Sequence, residues 1–344
     1  MRKWILPLVG LLSMAAVLLY FLLNRSATAF SEASRLFYIP TDSADAKWTV
    51  KALAEKGILK ETNFFSQLSN RQGRADWVKP GRYRIDRGMS QREVFNLLRS
   101  GDQEPVKFVI NKFRLPEDFA RHAARQLECD SAELAAFLRS PDSLARYKVD
   151  ADDAMTLVIP NTYSIKWNTD AASLIKRMAQ ERDRFWNAER KAKASKLGLT
   201  PEQVYALASI VEEETNKHDE KPVIASVYLN RFRKGMPLGA DPTVKFAVGD
   251  FGLKRILLRH IEETASSPYN TYKNTGIPPG PICTPSIKSI EAVLDPADTD
   301  YLFFCAKSDF SGYHAFAKDD TEHMRNARAY QRALDSLMAA KKMD

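Results

Sequence analysis

Cysteine is nearly absent: Cys129, Cys283 and Cys305 are three among 344 residues, an odd number, and no C-x-x-C pair occurs. Neither a disulfide framework nor a cysteine-built zinc site is supported by that usage, although Cys283 and Cys305 could pair if they meet in space. Histidine is almost as sparse. His122, His218, His260, His314 and His323 form no H-E-x-x-H arrangement, so no metal and no cofactor are expected. Nucleic-acid motifs are lacking as well. The formal charge of +8 and the pI near 9.2 come from basic residues spread along the chain, which excludes nucleic acid as the expected partner and leaves an acidic envelope polymer or anionic lipid headgroups.

Long apolar runs are lacking except for one. Residues 4–23, WILPLVGLLSMAAVLLYFLL, hold no charge, follow Arg2 and Lys3, and precede Arg25. Twenty apolar residues suffice to span a hydrocarbon core, and the charge balance favours a cytoplasmic N-terminus. The expectation is a single-pass anchor in the cytoplasmic membrane with the body on the extracytoplasmic side. The rival reading is a signal peptide cut after Ala27, Thr28 and Ala29, which fit the small-residue cleavage pattern. No second run of spanning length follows, and the remainder is long enough for two or three domains with their own cores.

Along that remainder the patterns alternate between strand and helix, an α+β class. LFYIP (36–40) reads as a strand, 48–59 as a helix, 64–70 as part of another, and KPGRYRI (79–85) as a turn and strand. Ser90, Glu93 and Gly101 mark both ends of a helix over 90–101. Residues 107–113 return to strand, three short helices follow, and 153–163 read as strand and turn. One long basic amphipathic helix is expected from Asp170 to about Gly198. Thr200, Pro201 and Gln203 open the next helix, and 221–235 form a further one ending at Gly235. Long turn-rich loops then lead to a hairpin of 301–307 with 313–317 and a closing helix.

The helix opened by Pro201 ends in LASIVEEETNK (207–217), an apolar run breaking into Glu212, Glu213 and Glu214. Val204, Leu207, Ala208 and Val211 make the buried stripe of a surface helix. Glu213 falls opposite that stripe and is assigned to solvent. Glu212 and Glu214 lie on its two flanks and cannot both point into one small site unless the helix ends there. Residues alone leave two readings open, a solvated acidic end or an acid used in chemistry.

Taken together, LASIVEEET, ASVYLNRFRKGMPLGADPTV, SPYNTYKNTGIPPGPICTPS and YLFFCAK…YHAF…EH resemble the YceG-like family of membrane-anchored endolytic murein transglycosylases, in unbroken order from about Leu207 to His323. KPGRYRI…MSQREVFNLLRSG (79–101) is similar to the LysM-like module that precedes the family's catalytic region. The resemblance implies four parts: a membrane anchor at 1–30, a LysM-like module at 31–104, a connecting α+β subdomain at 105–165, and a mixed helical and strand catalytic domain at 166–344.

The activity it implies is cleavage within peptidoglycan glycan strands without water, leaving 1,6-anhydro-N-acetylmuramyl ends and terminating nascent strands. Glu212 falls on the implied catalytic glutamate, a general acid whose proton is held by partial desolvation. Glu214, Asp241, Thr243, Tyr269, Asn270 and Thr271 are the implied substrate-binding residues; turn chemistry would also explain the loop members. Implied partners are the glycan strands, the membrane and a peptidoglycan synthase. The competing class is a noncatalytic, membrane-tethered glycan-binding scaffold. A pyridoxal-phosphate lyase, an older label for the family, fits poorly with an extracytoplasmic body.

Overall fold

The structure, a computed structural model, describes residues 13–14, 17, 20, 24–63, 65–67 and 78–341. The expected anchor and the expected helix at 64–70 fall largely outside these. Among the described residues, no helix is long and apolar enough to cross a membrane.

Chain contacts divide the protein into two units. The first comprises residues 1–108, 124–129 and 163–170. Its strand β1 (Ser34–Ile39) pairs antiparallel with β2 (Gly81–Asp86), Phe37 facing Tyr83. Phe37, Ile39, Tyr83 and Ile85 alternate inward as period-two patterning requires. Helix α1 (Ala46–Glu55) starts where the Asp45 side chain accepts from the Trp48 amide, and adds Leu53 to this core. Helix α2 (Gln91–Ser100) carries the expected capping box between Ser90 and Glu93, and stops at Gly101, whose φ of 73° favours glycine. Strand β3 (Val106–Val109) pairs with β4 (Thr162–Ile165).

The second unit comprises residues 109–123, 130–162 and 171–344. It opens with the three short helices, α3 (Pro116–Ala124), α4 (Ser131–Arg139) and α5 (Pro141–Ala145). The strand expected over 107–113 stops at Val109 because Phe113 exchanges both backbone bonds with Thr284: its amide donates to Oγ1 and its carbonyl accepts from the Thr284 amide. The strand expected over 153–163 is instead a buried 3₁₀ turn, Ala154–Leu157, before β4 begins. The long basic helix is two helices, α6 (Ala171–Phe185) and α7 (Ala188–Lys196). Asn187 breaks it by capping α7: its side chain accepts from the Arg190 amide while Arg190 reaches back to the Phe185 carbonyl.

Helix α8 (Pro201–Glu214) begins at the expected Thr200 cap with Gln203 closing the box. It is not a surface helix with one buried stripe: every residue from Val204 to Val211 is buried. Helices α9 (Lys221–Arg233) and α12 (Ile287–Leu294) pack along it, and α7 and α10 (Asp241–Val248) touch it further round. Burying Leu207, Ile210 and Val211 contributes about 2 kcal/mol each. Ser209, polar in this core, is satisfied twice, donating to the Ala206 carbonyl and accepting from the Ile282 amide.

Helix α11 (Leu258–Glu263) precedes the Y-N-T-Y loop. Strands β5 (Phe303–Ala306) and β6 (His314–Ala317) form the expected hairpin, Phe303 opposite Ala317, and α13 (Asp320–Lys341) packs on it. All three cysteines are free thiols.

Candidate active site

The three glutamates lie at the C-terminal end of a buried helix, where the backbone dipole disfavours negative charge and where three different chain segments cover them. Each meets a different environment.

Glu212 is clamped. Its Oε2 accepts from Lys221 Nζ at 2.7 Å, Ser286 Oγ at 2.6 Å and Ser289 Oγ at 2.5 Å. Lys221 is only 2% exposed and also donates to Ser289 Oγ at 2.8 Å, so one cation and two hydroxyls tie α8, α9 and α12 together. Burial pushes the Glu212 carboxyl up, but the Lys221, Ser286 and Ser289 hydrogen bonds outweigh it and hold the group below its ordinary range. The desolvation that was expected to keep a proton on Glu212 is therefore overruled by the ammonium it meets.

Glu213 is not solvated, contrary to the helical-wheel assignment. Its side chain is 12% exposed and pairs with Lys112 at 2.9 Å and Arg114 at 2.8 Å. The wheel fixes direction relative to one stripe, and residues 112–114, about a hundred positions away, cover the opposite face. Burial pushes this carboxyl up, and the two cations more than reverse the effect.

Among the described residues, Glu214 has no cationic partner within ion-pair distance. It is partly buried, and its Oε1 accepts from the Tyr228 hydroxyl at 2.5 Å. Burial raises its pKa to about 7; the nearby Asp241 and Glu213 charges add to the rise, while Tyr228 and Arg231 oppose it. A carboxyl poised there exchanges a proton near neutral pH, the property required of a general acid.

Glu214 lines two adjoining pockets. One, of about 180 Å³, is walled by Tyr228, Arg231, Leu238, Gly239, Asp241, Tyr272 and Phe304. Tyr228 and Arg231 are one turn apart on α9. Burial moves the Tyr228 hydroxyl far upward and the Arg231 guanidinium downward. Arg231 donates to the carbonyls of Leu302 at 2.6 Å and Leu238 at 2.8 Å rather than to a carboxylate. Gly239, at φ 59°, permits this approach: a Cβ there would sit 3.1 Å from Arg231 Nη1. Tyr272 donates to Asp241 at 2.6 Å. The second pocket, of about 190 Å³, shares Glu214 and Asp241 with the first and continues past Pro242 and Lys245 to residues 253–256.

The expected binding residues divide. Asp241 is exposed at the first turn of α10 and faces both pockets. Thr243, Asn270 and Thr271 do not present free polar groups. Each is at most 1% exposed and internally satisfied. Thr271 Oγ1 accepts from the Ala240 amide at 2.9 Å and meets Thr243 Oγ1 at 2.8 Å. Asn270 donates to Ile261 and Thr264 and accepts from the Tyr272 amide. They brace the loop by the turn chemistry that was the alternative for them. Tyr269 packs on Phe246 and donates to Asp152 at 3.3 Å, away from both Glu214 pockets.

Tyr228, Arg231 and Tyr272 were missed. On α9, Tyr228 reads as core and Arg231 as a cation complementing a helix C-terminus; their one-turn spacing was the available signal. Tyr272 is the second tyrosine of the Y-N-T-Y element, the one left pointing outward once Asn270 and Thr271 turn in. Among the described residues, no group of three or more His, Cys, Asp or Glu is arranged to hold a metal ion.

Comparison with known proteins places the chain among relatives. The sequence profile of the YceG-like family matches residues 37–329. An endolytic murein transglycosylase of Bacillus subtilis is 29% identical over 294 residues, covering 81% of this chain and 80% of the relative. One from Streptococcus pneumoniae is 29% identical over 307 residues, covering 80% of this chain. The chain spans about half of that relative's length, 54%. Among solved structures, a YceG-like protein from Listeria monocytogenes superposes with a TM-score of 0.57 at 27% identity, covering 86% of this chain and 99% of that one.

Proposed function

The chain belongs to the YceG-like family, and from that premise we propose that it is a lytic transglycosylase cleaving within murein glycan strands, with Glu214 as its acid. The observation that carries the assignment is the environment of the carboxyl and not the mere presence of a pocket. Glu212 also lines one, of about 380 Å³, with Thr284, Ser286 and Lys288, but Glu212 and Glu213 are held in ion pairs, whereas Glu214 has no ion-pair partner among the described residues and a pKa raised to about 7.

In this reading, Glu214 gives its proton to the glycosidic oxygen as the bond to the muramyl anomeric carbon breaks through an oxocarbenium-like state. The resulting carboxylate then takes the proton of the muramyl 6-hydroxyl as that oxygen attacks the anomeric carbon. The 1,6-anhydro ring closes, Glu214 is protonated again, and no water is consumed. Tyr228 is a positioning residue. Its hydroxyl occupies Oε1, which leaves Oε2 as the oxygen for the transferable proton. Asp241, Arg231 and Tyr272 supply charged and hydroxyl groups for sugar hydroxyls and acetamido groups on the pocket wall. Glu212 is a structural anchor, and Thr243, Asn270 and Thr271 brace the loop carrying Tyr272.

The anchor at residues 4–23, an extracytoplasmic location at the cytoplasmic membrane, a LysM-like module over 31–104 and association with a peptidoglycan synthase belong to the same proposal. Termination of nascent strands is the role they would serve.

Product analysis tests the reaction. Uncrosslinked glycan strands digested by the protein should yield internal fragments with anhydro-muramyl ends, each lighter by one water than hydrolytic ends, and the Glu214→Gln protein should yield them at least about a hundredfold more slowly. Reducing muramyl ends from the wild type would make it a hydrolase. Intact strands would make it a noncatalytic binder.

A further inference from the structure

The second pocket contains cations that neither the fold nor the proposed reaction uses. Lys245, Lys254 and Arg255 line it, and among the described residues none of the three is within ion-pair distance of an acidic side chain. Lys245 is half-buried on α10; Lys254 and Arg255 are exposed on the loop after it. The acidic groups on the same wall do not neutralise them. Glu213 is already paired with Lys112 and Arg114. Asp241 and Glu214 accept only from neutral tyrosine hydroxyls, which cancel no charge, but these two carboxyls are outnumbered by the three cations on the wall. The pocket is therefore an electropositive extension of the acid's own cleft, beginning at the two carboxyl residues it shares with the first pocket.

Three cations without partners grouped beside a cleft attract anions. In murein, the anionic groups nearest a cleaved muramyl bond are the carboxylates of the peptide stem, because the stem hangs from the muramyl residue itself. A diphosphate at a strand's reducing end is adjacent only when the last bond is cut, which cleavage within strands does not require. We propose that the Lys245–Lys254–Arg255 pocket binds the peptide-stem carboxylates of the muramyl residue beside Glu214. It would thereby set both the register of cleavage and a preference for stem-bearing over stripped glycan. This rests on the transglycosylase reading for its geometry, but its test does not depend on turnover.

Equilibrium binding to the full-length protein decides it, with three probes: a disaccharide carrying a peptide stem, the same compound with its stem carboxylates amidated, and the bare disaccharide. The carboxylate form should bind about tenfold tighter than the amidated one, the size expected for two or three exposed ion contacts. That difference should shrink as salt is raised and vanish in the Lys245→Gln, Lys254→Gln, Arg255→Gln protein. Equal affinity for the carboxylate and amidated probes, or a difference that survives the triple substitution, overturns the proposal. Absence of anhydro products from intact strands, with the charge-dependent binding preserved, would instead sink the transglycosylase reading and leave the anion site standing.

Discussion

The two flanks of the last turn of α8 differ in one respect that decides their chemistry. On one, Glu212 meets the buried Lys221 ammonium and two serine hydroxyls. On the other, two residues later, Glu214 meets a tyrosine hydroxyl and no ion-pair partner among the described residues, although each of the two carboxyls lines a pocket. Both carboxyls are drawn out of water, yet one is pushed below its ordinary range and the other up to about 7. Desolvation alone does not make a general acid; desolvation without a paired cation does. In the proposed reaction the same turn would serve as structural tie on one side and proton source on the other.

Substituting each flank separately should break the comparison most sharply. Glu214→Gln removes the transferable proton and should lower kcat by about 10²–10⁴-fold while leaving the fold intact. Its stability effect has a definite sign. The native state keeps a proton on Glu214 between the reference value of 4.5 and about 7, so native stability falls as pH rises through that window. By pH 8 the loss approaches about 3 kcal/mol, and the glutamine protein should melt above the wild type there. Calorimetry at pH 5 and pH 8 checks both halves.

Glu212→Gln should do the reverse. It strands the Lys221 charge, 2% exposed, and should destabilise by about 3–5 kcal/mol, with the folded fraction still turning over substrate. A folded, stable Glu212→Gln protein with no activity would exchange the two roles.

Tyr228→Phe keeps the ring that packs edge-on against Phe304 and deletes the hydroxyl. Because that hydrogen bond opposes the rise in the Glu214 pKa, the alkaline limb of the kcat profile should move to higher pH, with a lower maximum. An unmoved limb would make Tyr228 packing only. The smallest effect belongs to Glu213→Gln, whose partners Lys112 and Arg114 are 37% and 32% exposed. A loss of about 1 kcal/mol or less in chemical denaturation is expected.

What was legible in the sequence is what local chemistry writes. The Ser90–Glu93 box, the Thr200 cap before Pro201 and the β5–β6 hairpin all depend on residues close in sequence, and all stand where expected. Asn187 was local too, but its cap was hidden inside a continuous amphipathic pattern. The site was legible as a region and not as an assignment of roles. Whether a glutamate in 212–214 is clamped, paired or poised is set by Lys112, Arg114, Ser286, Ser289 and the spacing to α9, and most of these lie some seventy to a hundred residues away. A wheel drawn on one helix carries no information about which distant segments cover its other faces. The polar loop residues failed for a related reason: Thr243, Asn270 and Thr271 are as suited to bracing a turn as to holding a sugar, and only burial distinguishes the two.

Direct titration of the two carboxyls is the sharpest test of this division. With side-chain carbons labelled and the Glu212 and Glu214 signals assigned from the two glutamine variants, carboxyl chemical shifts followed from pH 3 to pH 9 should show Glu214 titrating near 7 and Glu212 below the ordinary glutamate range. The opposite order, Glu212 near neutrality and Glu214 ionised throughout, would contradict the assignment of the acid to Glu214.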